Sequence, residues 1–576
     1  MQMRYKSTRN SQLRLEASQV IAQGISEEGG LFVPECFPDL SSELPDLAKL
    51  DYPALAKTVF SKFLTDFTEE EISTCVDRAY TPEKFGGPCP VKLHALPRMG
   101  EDKCLLELWH GPTCAFKDMA LQILPHFLTT ALKKVGQGKE AVILTATSGD
   151  TGKAALAGFQ DVPGTRILVF YPRDGVSPMQ KRQMVTQEGA NVSVCAIEGN
   201  FDDAQSSVKR IFTDPELKQQ LSEHGMLFSS ANSINWGRLL PQIVYYVYAY
   251  LELVRQGKRV LGEPMDVVVP TGNFGNILAA YYARKMGLPI RRLVCASNAN
   301  KVLTDFICTG TYDRRREFHA TASPSMDILI SSNLERLLYD LCGEDSETLA
   351  GWMKDLAETG VYSVGGTVRE KVQGLFYGGF CEDGATFATI RQLWEQEGYL
   401  CDTHTAVAVD VYRQYLAQSQ EKVVPAVIAS TANPYKFSAS VLRALGAEQL
   451  SSDDFQNLAA LEILTGIASP AQLRALQEKP ERFTQVISRE NAAAYVLEAL
   501  GSPHEPVCHC RPAPLPQRRK THGCIQGLAQ LRGTPGEELA ACCPGGGHGG
   551  DRRGHLLGHE AGGRPAGFSV FAQPSR

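Results

Sequence analysis

The chain has 576 residues, a formal net charge of −6, 43% hydrophobic and 21% charged residues. That composition excludes a wholly disordered chain and a fibrous repeat, and the acidic balance speaks against a nucleic-acid phosphate backbone as partner. The length suggests roughly 3–4 domains or a large enzyme with insertions.

The first hundred residues read as mostly helical and loop-like. The start, MQMRYKSTRN, leads into no apolar run, so no signal peptide is expected. Residues 51–67 carry helical spacing of Leu, Ala, Val and Phe, and Thr68 followed by Glu69, Glu70 and Glu71 forms a helix start. From about residue 103, short apolar runs alternate with amphipathic helices. Residues 105–109 read as a strand, and a helix follows from Asp118, with Pro125 kinking it or marking its early break. Residues 141–147 (AVILTAT) form a buried-type strand, then a Gly-rich turn and a helix from about Lys153. Residues 166–171, 192–197 and 226–229 continue the strand series. The most apolar helix-like stretch, 239–253, is interrupted by Pro241 and Gln242 and is too short to span a bilayer. Residues 266–269 are a strand and 277–285 a helix. The segment 300–365 reads as a loop-rich insertion, and 366–397 as helical. Residues 426–429 form a last strand before a loop and a helix at 437–445.

Alternation of this kind implies parallel sheets covered by helices, with ligand sites in the loops beyond the carboxyl ends of the strands. The domain reading is a mostly helical region at 1–100, a catalytic α/β region with two subdomains at 101–500, and a tail at 501–576.

The tail differs in kind. It holds 15 of the 51 Gly, 9 of the 32 Pro, 5 of the 16 Cys and 6 of the 12 His. Residues 1–500 carry 49 basic against 59 acidic residues, the tail 9 against 5. Its cysteines and histidines (Cys508 to Cys510, His522, Cys524, Cys542, Cys543, His548) match no zinc-finger or ribbon spacing. Its composition predicts disorder, and an out-of-frame or readthrough origin is the sharper reading. The scattered cysteines of the body read as reduced thiols of a cytoplasmic protein.

Four loops at strand ends carry the chemistry. Lys117, in HGPTCAFKD, lies between an apolar strand and an apolar helix. Alone it reads as a surface lysine beside a capping Asp, but burial there would favour the neutral amine that attacks a carbonyl. The run 145–152 (TATSGDTG) offers hydroxyls and helix N–H groups suited to a carboxylate or phosphate, although an ordinary N-cap uses the same residues. Gly272 to Asn276 end a strand and open a helix, either as a phosphate cradle or as a plain tight turn. Ser430 to Pro434 alone would be a polar turn.

Together, in chain order, these loops resemble the fold-type II pyridoxal-phosphate enzymes (tryptophan synthase β-like), and specifically the threonine synthase family in its longer-chain branch with an N-terminal extension. The matching pieces are GLFVPE at 30–35, LELWHGPTCAFKD at 106–118, TSGDTG at 147–152 and NSINWGR at 232–238. They continue with VVPTGNFGN at 268–276, SPSMDILISSNLER at 323–336, DTHTAVA at 402–408 and STANPYKFS at 430–438. The resemblance covers about residues 1–500.

It implies an α/β fold of two parallel-sheet-containing domains with the cofactor in the cleft, plus an N-terminal helical domain. It implies that Lys117 carries pyridoxal 5'-phosphate covalently, that Gly272, Asn273, Phe274, Gly275 and Asn276 bind the cofactor phosphate, and that Thr431 bonds the pyridine nitrogen. Asn232, Ser233 and Arg238, joined by Thr151, would take the substrate phosphate, while Thr147 and Ser148 would take the α-carboxylate. Asp150 stands where the wider superfamily often has Asn, and its role is open. His110 and His404 lack metal-ligand spacing, so structural hydrogen bonding is expected of both. The reaction implied is conversion of O-phospho-L-homoserine and water into L-threonine and phosphate. The alternatives are a phospho-lyase giving 2-oxobutyrate and a non-catalytic cofactor-binding scaffold. No metal, membrane or nucleic-acid partner is expected, and the oligomeric state is either monomer or homodimer.

Overall fold

Strands such as Val192–Ile197 and Met265–Pro270 are buried along their whole length, the mark of sheets covered on both faces. In the computed structural model they assemble into two such sheets. The structure describes residues 2–501 apart from 101, 136–137, 148, 174–175, 200 and 420–422. Ser148 and the tail beyond Gly501, with its expected disorder and its cysteines and histidines, therefore lie outside the described residues.

The larger sheet has six strands in the order Phe376–Phe380, Ile290–Ser297, Met265–Pro270, Ala426–Ser430, Lys103–Glu107 and Lys92–Ala95. All pairs are parallel except the last, which is antiparallel. The smaller sheet has five parallel strands: Val486–Ile487, Val192–Ile197, Thr165–Pro172, Glu140–Ala146 and Met226–Ser230. The loops of the two sheets meet at Lys117, which follows the strand Lys103–Glu107 of the larger sheet. It lies 3.6 Å from Asp150, at the start of the helix that follows the strand Glu140–Ala146 of the smaller.

Several expectations need correction. The N-terminal hundred residues are mostly helical and loop-like as expected, but they also contain an unexpected three-stranded antiparallel sheet, Asn10–Leu15, Tyr5–Ser7 and Phe32–Pro34. The strand Asn10–Leu15 alternates exposed and half-buried residues, a period-2 signal hidden by its polar composition. The segment 300–365 is not loop-rich. It holds the helices Val302–Thr309, Leu334–Leu341 and Ser346–Glu358 and a small antiparallel strand pair, Thr311–Asp313 with Val361–Ser363. Within 366–397, the strand Phe376–Phe380 separates two helices.

Other local readings hold. Thr68 and Glu71 form a reciprocal capping box at the start of Glu69–Ala79. The helix after Lys117 breaks early: Asp118–Leu121 is followed by Leu124–Val135, with Pro125 in its first turn. The reading of 239–253 as interrupted does not hold: the helix Trp236–Arg255 runs through Pro241 and Gln242 without a break. Among the described residues no helix is long and apolar enough to cross a membrane.

Candidate active site

Lys117 is held by two chain segments lying side by side. Beyond the strand Lys103–Glu107, residues 114–116 run against 431–433. Phe116 N–H donates to the Thr431 carbonyl at 2.8 Å and Asn433 N–H to the Cys114 carbonyl at 3.0 Å, with a bridge between Ala115 and Ala432. Thr431, buried, is thus a neighbour of Lys117. The lysine then caps the short helix Asp118–Leu121, and Asp118 accepts from Thr113 N–H and its hydroxyl, both at 2.8 Å.

The Lys117 ammonium lies 3.6 Å from Asp150 Oδ2 and 5.4 Å from the Phe116 ring centroid. Burial brings its pKa down to about 8; Asp150 opposes the shift, while Arg238 and Lys436 reinforce it. Asp150 opens the helix Asp150–Phe159 and is itself buried. Its Oδ1 accepts from Lys436 Nζ at 2.5 Å and Gln180 Nε2 at 2.9 Å, and its Oδ2 from the Ser325 hydroxyl at 3.0 Å. Burial alone would raise this carboxyl's pKa. Lys436, Lys117 and Gln180 outweigh it and hold the group well below the usual carboxylate range.

Ser325 is seated from the far side. Its N–H donates to His404 Nε2 at 3.1 Å, and His404 Nδ1 donates to Asp402 at 2.9 Å. That pattern orients the imidazole between Ser325 and Asp402 in a supporting role. His110 likewise bonds Glu107 at 2.8 Å and stacks on Trp109.

The 272–276 turn leaves the strand Met265–Pro270 and enters the helix Gly275–Lys285 through Phe274 at φ 63°, a left-handed conformation uncommon for a side-chain-bearing residue. Its carbonyls are taken from outside: Ser331 Oγ donates to Gly272 O at 2.7 Å, and Asn333 donates from both N–H and Nδ2 to Asn273 O, each at 3.1 Å. Gly272 has no room for a side chain, since a Cβ would fall 2.9 Å from the Ser325 carbonyl. Asn333 Nδ2 also reaches Ser233 Oγ at 3.1 Å, which ties this turn to the 232–238 segment. Below them, the fully buried Arg336 donates to Asn333 Oδ1, to the Phe32 carbonyl at 2.9 Å and to the Ile234 carbonyl at 2.6 Å.

On the other side, Thr147 Oγ1 accepts from Gly149 and Gly152 N–H at 3.0 and 2.8 Å, which leaves its O–H free to donate. Gly149 sits at φ 133°, where a Cβ would strike the Gln180 side chain at 2.4 Å. Thr151 is half-buried, as is Asn232, whose N–H bonds Ser230 Oγ at 3.1 Å. Arg238 is buried. One of its Nη atoms donates to the Ala231 carbonyl at 2.9 Å, its Nε has no partner among the described residues, and burial brings its pKa down to about 10.

These observations fit an anionic, aldehyde-bearing aromatic cofactor. There is a buried, deprotonable amine, a helix start whose first N–H groups have no intrahelical acceptor, and two orphaned buried donors. The orphans are Arg238 Nε and Asn276 Nδ2; the Asn276 oxygen is already used by Tyr245 and Tyr246, at 2.7 and 2.5 Å. Among the described residues no group of three or more His, Cys, Asp or Glu is placed to hold a metal.

Residue-by-residue reasoning misses Lys436, Ser325, Gln180 and Asn333. Three of them stand inside noticed segments, Lys436 in STANPYKFS and Ser325 and Asn333 in SPSMDILISSNLER. The available signal is a lysine set between two aromatic residues, Tyr435 and Phe437, just after the Pro-closed turn.

Comparisons with known proteins agree with this geometry. Three family models match in succession: "Threonine synthase N terminus" at residues 4–80, "Pyridoxal-phosphate dependent enzyme" at 83–375, and "Threonine synthase, C-terminal" at 405–496. Threonine synthase-like 1 of Homo sapiens is 40% identical over 452 residues, covering 77% of this chain and 59% of that protein. The chain therefore spans about three-fifths of that relative's length. Threonine synthase of Schizosaccharomyces pombe is 34% identical over 475 residues, covering 77% of this chain and 90% of that one. The crystal structure of PLP-bound threonine synthase from Brucella melitensis superposes with a TM-score of 0.75 at 34% identity, covering 87% of this chain and all of that one. The expected fold-type II architecture is thereby borne out, and the chain belongs to the threonine synthase family of pyridoxal-phosphate-dependent enzymes.

Proposed function

We propose that this chain converts O-phospho-L-homoserine and water into L-threonine and phosphate. The observation that carries this reading is a buried Lys117 amine facing Asp150, close to a buried Arg238 whose Nε waits for an acceptor.

In this reading Lys117 holds pyridoxal phosphate, the 272–276 main chain and Asn276 Nδ2 receive its phosphate, and Thr431 bonds its ring nitrogen. The bound cofactor supplies an electron sink for bonds breaking at the amino-acid carbons. Arg238, with Asn232, Ser233 and Thr151, takes the substrate phosphate. A guanidinium suits it because its planar fork matches phosphate oxygens. Thr147 and Ser148 take the α-carboxylate at the start of the helix Asp150–Phe159. The free Lys117 amine would carry protons to and from the substrate carbons, a task suited to a group with pKa about 8.

The same reading keeps the division at 1–100, 101–500 and 501–576. It places the protein in the cytoplasm without a nucleic-acid partner, in keeping with eleven free cysteines among the described residues.

The test is a product assay. Full-length protein with pyridoxal phosphate and O-phospho-L-homoserine is expected to release threonine and phosphate in equal amounts. Accumulation of 2-oxobutyrate instead would replace this reading with the phospho-lyase. A bound-cofactor absorbance band that survives Lys117→Ala would show the attachment site to be wrong.

A further inference from the structure

Asp150 has two cationic partners, and they are not equivalent. Lys436 Nζ, with a fully buried side chain, sits 2.5 Å from Oδ1, while Lys117 Nζ stands off at 3.6 Å from Oδ2. Lys436 is fixed there by a second bond, 3.0 Å to the Thr113 carbonyl. Gln180 and Ser325 complete the carboxylate at 2.9 and 3.0 Å. One negative charge is therefore shared by two lysines, and the nearer holds most of it.

The physical consequence concerns the farther lysine. A buried carboxylate beside an amine favours the protonated form, which cannot attack a carbonyl. An ammonium already bonded to that carboxylate cancels the effect and adds its own repulsion. The charged groups facing Lys117 are Asp150 from one helix, Arg238 from another and Lys436 from the 434–437 turn. Asp118, bonded to Thr113, is the other acid near Lys436. We propose that Lys436 is a positioning residue for the reaction: by occupying Asp150 it keeps the carboxylate from capturing Lys117, so that the amine stays free to act. This rests on Lys117 being the reactive amine, and it gives Asp150 the role that the sequence left open and Lys436 one that the sequence did not suggest.

Two substitutions act in opposite directions. Lys436→Met leaves Asp150 to Lys117 alone and moves the titration of Lys117 to higher pH. Asp150→Asn removes the anion facing that amine and moves the titration to lower pH. Lys436→Arg keeps the charge and restores the wild-type midpoint.

The experiment is trace acetylation of full-length, cofactor-stripped protein by acetic anhydride. Labelling of the Lys117 peptide is followed by mass spectrometry from about pH 6 to about pH 11, the span of depressed and ordinary lysines. At a fixed pH below the midpoint, Lys117 in Lys436→Met should label more slowly than in the wild type, about tenfold for every whole pH step by which its midpoint rises. An unchanged midpoint in Lys436→Met overturns the proposal. If that variant does not fold, Asp150→Asn decides it, since an unchanged midpoint there, or one moved to higher pH, is equally fatal. Addition of pyridoxal phosphate before labelling should protect Lys117 in the wild type; loss of that protection would instead sink the attachment reading and leave the Asp150–Lys436 result standing.

Discussion

The two sides of the cleft are built on different principles. The 272–276 turn presents neutral main-chain donors, and its carbonyls are taken by Ser331 and Asn333 from another segment. The opposite side, 147–152 with Arg238, presents side chains that carry charge, and Arg238 has a donor to spare. A neutral backbone cradle is inexpensive to keep formed in the absence of a ligand. A buried charge is costly unless something compensates it. Asp150 has its compensation in Lys436, while Arg238 has a single carbonyl.

The sharpest way to break this contrast is to remove Arg238. Arg238→Met should lower kcat/KM for a phosphate-bearing substrate by about a hundredfold, the worth of one or two charge-assisted bonds. Stability should be unchanged or higher by about 1–2 kcal/mol, because an uncompensated guanidinium leaves the interior. A large loss of thermal stability would contradict the account. Removing the Lys117 charge is the next test. Its pKa is depressed to about 8 from 10.5, so the unfolded chain binds more protons than the folded one between those values, and stability rises with pH across that window. The gain is about 3 kcal/mol at most, and it should vanish in Lys117→Met; denaturant unfolding of the cofactor-free protein at both ends of the window reads it. On the neutral side, Asn333→Ala should cost about 1–3 kcal/mol of stability and weaken cofactor binding about tenfold, since it strips the side-chain bond from the Asn273 carbonyl and the tie to Ser233. Calorimetry and cofactor titration measure both. If Asn333→Ala spared stability and Arg238→Met destroyed it, the contrast would be inverted.

Much of this site is legible in the sequence because strand, turn and helix signals coincide with it. The strand Glu140–Ala146 is a nearly pure apolar run, and Gly149 and Gly272 stand where a Cβ would collide. The strands that escape have physical disguises. Ile290–Ser297 opens with Arg291 and Arg292, which suggest surface, yet Asp266 accepts from Arg291 at 2.9 Å. Phe376–Phe380 contains Gly378 and Gly379, which look like a turn. In the fold they let a helix approach, since a Cβ on Gly379 would lie 2.6 Å from Val411. Segment 300–365 looks like loop because two of its three helices are only 8 residues long and its polar stretch 321–327 follows no period. That stretch is ordered by one carboxylate: Asp327 accepts from Asn298, Asn300 and Thr321 at 2.7 to 3.0 Å. No local pattern announces a hub that gathers two of its partners, Asn298 and Asn300, from more than twenty residues away. Lys436 escapes for the same reason, because its partner is Asp150, 286 residues distant.

Arg336 carries a consequence for how the chain can be divided. Its guanidinium binds the Phe32 carbonyl with the same plane of donors that holds Asn333 and Ile234, so the N-terminal sheet shares a rivet with both walls of the cleft. A fragment beginning after residue 35 would expose an interior cation and loosen two loops far from the cut. The opening residues are in this sense a structural part of the active site, although none of them touches its chemistry.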